Sequence, residues 1–273
     1  MTALAWYNGA PTAGVPLSNR AIAYGDGLFE TIRVEHHRAS LLRRHLRRLA
    51  RGCERLGMRI DGAALDREIA AVLDDHGSGV MKIIVARESD ERGYAVPAHA
   101  DAARLLQFFP REFTADARNS EGVAVRICRL RLSEQPALAG LKHLNRLEQV
   151  LARSEWDDPA IAEGLMLDSS ARLVEGITSN LFLVRDGVLS TPDLKRCGVA
   201  GILREVILEQ LAPGARVTDL SLDDMVAADE VFLCNSVAGI WPVRTIDGLH
   251  KPVGETTRAL QQRLQQLIEH EAQ

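Results

Sequence analysis

No stretch of this sequence is apolar for long enough to cross a bilayer as a helix, which excludes a helical membrane protein. The opening Met1-Thr2-Ala3-Leu4 has no basic segment leading into an apolar one, so no secretory leader is expected. Excess positive charge is also missing: the formal net charge is -4, which argues against nucleic acid as the main partner. Cysteine is scarce. Cys53, Cys128, Cys197 and Cys234 stand singly in apolar surroundings, no two at zinc or redox spacing, and are expected to be buried thiols. His36 and His37 are adjacent, point to opposite faces of any strand and have no third ligand at coordinating spacing, so no metal is expected. These absences leave a globular protein placed in the cytoplasm.

What is present is enough for a large core. With 273 residues and 46% of them hydrophobic, the chain is long enough for two domains. Period-two and β-branched patterns give strands at residues 4–8, 29–34, 80–86, 105–109 and 123–129. Helical spacing covers residues 40–58, with Leu41, Leu42, His45, Leu46, Leu49, Cys53 and Leu56 on one stripe, and a second helix spans about 63–75. A charged connector over 111–121 marks the boundary between a smaller N-terminal α/β domain, 1–115, and a larger C-terminal domain, 116–273. The class is α/β, in the α+β sense.

Lys142 is the residue of most chemical interest. Leu144, Leu147, Val150 and Leu151 predict an amphipathic helix over about 145–156, with Lys142 just ahead of it, where a helix dipole and apolar neighbours lower an amine's pKa. Such a lysine forms Schiff bases, whereas a lone lysine is otherwise a solvated one. The arginines of 40–58 read as a solvated face, with Arg48 at the seam beside Leu49, where its fork suits a phosphate. Arg87 and Arg92 flank three acids and read either as self-neutralised surface residues or, for Arg92, as a receiver of substrate carboxylate. Downstream, Glu175-Gly176-Ile177-Thr178-Ser179-Asn180 packs hydrogen-bonding groups ahead of an apolar strand. Gly198-Val199-Ala200-Gly201 opens a helix whose first N–H groups suit an anion, and Asn235-Ser236-Val237-Ala238-Gly239 is a small-residue loop with further donors. An amine, an arginine, anion-binding loops and an acid together are what pyridoxal phosphate requires.

Tyr24-Gly25-Asp26-Gly27, His45-Leu46-Arg47-Arg48-Leu49, Glu175-Gly176 with Ser179-Asn180, Gly201-Ile202-Leu203-Arg204 and Trp241-Pro242-Val243 carry a resemblance over nearly the whole chain. In their order and spacing the sequence resembles the fold-type IV pyridoxal phosphate enzymes, also called class IV aminotransferases. The resemblance implies a two-domain fold of the D-amino acid aminotransferase kind, with pyridoxal 5'-phosphate between the domains, and a homodimer. It also implies that Lys142 bonds covalently to the cofactor, that Glu175 pairs with the pyridine nitrogen, and that Arg48 grips the phosphate. Ile202 and Leu203 add backbone N–H groups, Ser236 its hydroxyl, and Ser179 and Asn180 complete the cofactor site. Many relatives carry threonine where Leu203 stands, so a hydroxyl contact is lost there. Gly140-Leu141-Lys142-His143-Leu144-Asn145-Arg146-Leu147-Glu148-Gln149-Val150 is similar to the lyase branch of the family rather than to its branched-chain or D-amino acid aminotransferases. In that branch Thr31 matches a proton donor to a departing enolpyruvyl group, and Phe29, Arg92 and Tyr94 face the substrate. Glu88-Ser89-Asp90-Glu91 departs from the glycine-rich run expected after Arg87.

Overall fold

The computed structural model describes residues 4–88, 93–96 and 101–271, and these form two compact units. The first holds the chain up to Thr114 together with Lys142–Asn145. The second holds Ala115–Leu141 and the chain from Arg146 onward. Each is a sheet with helices, the mixed α/β character expected from the sequence.

In the first unit the order is β1 (Leu4–Tyr7), β2 (Ala10–Pro11), α1 (Arg20–Tyr24), β3 (Gly27–Glu35), β4 (Arg38–Ala39), α2 (Leu42–Arg55), α3 (Gly62–Asp75), β5 (Gly79–Arg87) and β6 (Ala102–Pro110). The strands form one antiparallel sheet, ordered β2-β1-β6-β5-β3-β4. Alternation in β3 separates its two faces: Leu28, Glu30, Ile32 and Val34 are buried, while Phe29, Thr31 and Arg33 are half-buried. Helix α2 covers the buried face of β3 with His45, Leu49 and Cys53. Asp61 starts α3 by accepting the N–H of Ala64 at 2.9 Å. Across the sheet Thr31 stands opposite Lys82, so Phe29, Thr31 and Lys82 share the half-buried face.

The second unit runs α4 (Ala117–Glu121), β7 (Val123–Leu132), α5 (Leu147–Arg153), β8 (Ile161–Asp168), β9 (Leu173–Gly176), β10 (Asn180–Arg185), β11 (Val188–Pro192), α6 (Ile202–Val206) with a π turn over Ile207–Leu211, β12 (Arg216–Thr218), α7 (Leu222–Ala227), β13 (Glu230–Asn235), β14 (Gly239–Ile246), β15 (Leu249–His250) and α8 (Glu255–Glu271). Its sheet follows β12-β11-β10-β13-β14-β7-β8-β9, with β15 added beside β14. The β14/β7, β7/β8 and β11/β12 pairs are parallel. Leu165, Leu167, Leu181, Leu183, Leu233 and Val243 lie at its core. Asp186 and Gly187, both at positive φ, close the β10/β11 hairpin as an Asp-Gly pair does. Glu230 caps α8 by accepting the N–H groups of Thr256 and Thr257 at 3.0 and 2.8 Å.

One sequence expectation is corrected here. The helix after Lys142 is α5, which begins at Leu147 rather than near 145, and Leu147, Val150 and Leu151 are exposed while Gln149 and Ala152 are buried. The cause lies upstream. Phe29 N–H donates to the Lys142 carbonyl at 2.9 Å, Leu144 N–H donates to Gly27 O at 3.0 Å, and Leu28 bridges His143. These bonds hold 142–144 extended along β3, so Lys142 is placed by a strand and not by a helix mouth.

Candidate active site

The chain's lysines are Lys82, Lys142, Lys195 and Lys251. Lys251 is buried, and its Nζ donates to the carbonyls of Val226 and Ala228, both at 2.7 Å. Lys195 is exposed and pairs with Asp193 at 3.3 Å. The other two converge on one ring: Lys142 Nζ lies 4.3 Å and Lys82 Nζ 5.3 Å from the centroid of Phe29. Thr31, two residues along β3 from Phe29, is on the same face. The first unit thus groups Lys142, Phe29 and Thr31 as the sequence suggested, and adds Lys82.

Behind this face, Arg48 is held by a buried carboxylate. Its Nε donates to Glu30 Oε1 at 2.8 Å and its Nη2 to Oε2, while His45 Nδ1–H donates to the same Oε2 at 2.7 Å. Burial pushes the Glu30 carboxyl up, but the hydrogen bonds from His45 and Arg48 outweigh it and hold the group below its usual range. Burial pushes His45 down, against the pull of Glu30, so the ring is held neutral. The pair with Glu30 fixes the direction of the Arg48 fork. A charged residue at an inward position of β3's alternation was the available sign of this network.

Arg87 is also not a surface residue. It is buried, donates to Asp26 Oδ2 at 2.9 Å, and reaches the carbonyls of Gly57 and Leu56. Arg20 joins Asp26 at 2.8 Å and donates to Gly93 O at 3.0 Å, so the Gly25-Asp26-Gly27 turn anchors the start of the 93–96 segment. Tyr94 is exposed, with its ring 5.5 Å from that of Tyr24. Arg92 lies outside the described residues.

In the second unit Glu175, at the end of β9, is buried and its Oε2 accepts the N–H of Val199 at 2.8 Å. Asn180, at the start of β10, donates from Nδ2 to the carbonyl of the same Val199 at 2.9 Å. Both ends of one peptide segment are therefore held. Gly140 holds the loop from another side, through Gly140 N–H to Gly198 O at 2.8 Å and Ala200 N–H to Gly140 O at 3.1 Å. Helix α6 follows at Ile202 and Leu203, with Gly201 at its N-cap and no side-chain cap. A Cβ at position 201 would collide with Asn180 Oδ1, which explains the glycine. Ser236 sits in the turn after β13, where Asn235 Oδ1 accepts the N–H groups of Val237 and Ala238 at 3.0 and 2.7 Å. Ser179 turns its hydroxyl onto Glu163, a residue the sequence reading passed over.

The fold and these residues define a class. Residues 27–246 match the family described as amino-transferase class IV, and the chain belongs to that family. It is 36% identical to the aminodeoxychorismate lyase of Vibrio harveyi over 267 residues, covering 94% of this chain and 97% of that one. A solved 4-amino-4-deoxychorismate lyase from Pseudomonas aeruginosa superposes with a TM-score of 0.92 at 52% identity, covering 96% and 98%. The branched-chain amino acid aminotransferase of Escherichia coli superposes with a TM-score of 0.84 at 26% identity, covering 98% and 95%.

Proposed function

We propose that this chain is a pyridoxal phosphate-dependent lyase that converts 4-amino-4-deoxychorismate to 4-aminobenzoate and pyruvate, a step of folate biosynthesis. The observation that carries the reading is near full-length likeness to two proteins of that name, well above the likeness to the aminotransferase. The donor set fits the cofactor: an amine on an aromatic face, an oriented guanidinium, a buried carboxylate and a helix start with no side-chain cap. Lys142 is its attachment point, and Arg48, the N–H groups of Ile202 and Leu203 and the Ser236 hydroxyl are its phosphate donors. Glu175 is the acid for the pyridine nitrogen, and Asn180 holds the same loop.

When bound, pyridoxal phosphate supplies an electron sink joined to the substrate nitrogen. With the cofactor held there, Lys142 Nζ would take the proton from the substrate carbon that bears the amino nitrogen. The Phe29 ring under its Nζ favours the ammonium so formed. Thr31 gives a proton to the departing enolpyruvyl fragment, which leaves as pyruvate, and aromatisation of the remaining ring drives the step. On the same face Lys82 has no carboxylate partner among the described residues, which suits an anionic substrate, and the family resemblance adds Arg92 and Tyr94 as its further contacts. Four buried free thiols fit a reducing cytoplasm, and the exposed Leu147, Val150 and Leu151 of α5 fit a homodimer contact.

The test is to supply 4-amino-4-deoxychorismate alone and measure products. Equal amounts of 4-aminobenzoate and pyruvate are expected. Turnover that appears only with an amino acid and keto acid pair would replace the lyase with a D-amino acid or branched-chain aminotransferase, which uses the same Lys142, Glu175 and Arg48.

A further inference from the structure

Glu163, on β8, is 3% exposed, and among the described residues no arginine or lysine pairs with it. A buried carboxylate is costly unless its oxygens are hydrogen-bonded. Here both oxygens accept hydrogen bonds. Oε1 accepts the N–H of Gly164 at 3.0 Å, and Oε2 accepts the Thr178 N–H at 3.0 Å, the Thr178 hydroxyl at 2.5 Å and the Ser179 hydroxyl at 3.2 Å.

The backbone of the same turn is tied down as well, by Ile177 N–H to Gly164 O at 3.0 Å and Gly176 N–H to Ser179 O at 2.7 Å. Nothing larger than glycine fits at 176, because a Cβ there would collide with Ser179 Oγ and press on Glu163 Cγ. The turn joins Glu175 to Asn180, the two residues that bracket Val199.

Resting on the cofactor reading above, we propose that Glu163 is a positioning residue that sets Glu175 and Asn180 by accepting hydrogen bonds from the hydroxyls of Thr178 and Ser179. A hydroxyl has one proton to give. Ser179, with its O–H donated to Glu163, turns only lone pairs to its other neighbours and has no donor to offer a phosphate. It therefore acts on the cofactor through the turn and not by gripping the phosphate.

The experiment titrates the full-length chain, freed of cofactor, with pyridoxal phosphate and separately with pyridoxal, which lacks the phosphate, following absorbance. Wild type is compared with Glu163→Gln and with the milder Ser179→Ala. Each variant is expected to weaken both ligands by the same factor, on the order of tenfold, leaving the ratio of the two affinities as in wild type. Three results would overturn the proposal. Ser179→Ala weakening pyridoxal phosphate alone would mean direct phosphate contact. Unchanged affinities with a lower melting temperature in Glu163→Gln would mean a purely structural role. A wild-type chain that binds neither ligand would remove the cofactor reading itself, an outcome distinct from the other two.

Discussion

Two amines share the ring of Phe29, and both are held by backbone pairing with β3, Lys82 from β5 and Lys142 from the 142–144 segment, which gives each a fixed origin for its side chain. Removing the second amine by Lys142→Ala is expected to abolish the yellow absorbance of the bound cofactor and lower turnover by about 10²- to 10⁴-fold, the range for loss of an acid–base group. Normal turnover without the band would remove Lys142 from the chemistry. Glu30 is the other residue with a sharp consequence. It accepts hydrogen bonds from both His45 and Arg48 inside the first unit, so Glu30→Ala removes one partner of a buried ion pair, and a stability loss of about 3–5 kcal/mol is expected in denaturant unfolding. A loss within the error of the measurement would show that the network carries little energy.

At the scale of elements, the loop before α6 is where shape and chemistry meet. Gly201→Ala forces Asn180 Oδ1 to move and with it the bond to Val199 O, so a loss of about 1–3 kcal/mol is expected together with weaker cofactor binding. Full retention of both would mean that the loop tolerates a Cβ by shifting. Much at this scale was legible in the sequence. The strand at β3 and the stripe of α2 follow from period. The helix at α5 shows the limit: periodicity reveals that an apolar face exists, not what it faces, and Leu147, Val150 and Leu151 point outward. The start of α5 was misread because the bonds between 142–144 and β3 link positions far apart in sequence. For the same reason Glu163 gave no sign, since its partners are at Thr178 and Ser179 and it has no charged neighbour at helical or strand spacing.

At the scale of the whole chain, the two sheets were foreseeable as a class, but the parallel β7/β8 and β14/β7 pairs were not, because such pairings depend on crossovers that local pattern does not encode. The molecule should also answer to pH as a whole. His45 has its pKa lowered by burial, so its contribution is present above its ordinary value of 6.5 and is lost as pH falls toward the lower folded value. Glu30, also lowered, adds a second loss below its ordinary 4.5. Stability in denaturant is therefore expected to decline on acidification from about pH 6.5, and His45→Gln should remove the first part of that slope. A wild-type profile flat down to pH 4.5 would contradict the burial argument.

The central claim is that the site is built around Lys142. It is tested most directly by reducing the cofactor-loaded protein with borohydride and locating the trapped group by peptide mass. The expected result is a single modification on Lys142. A label on Lys82, or none on any lysine, would contradict it.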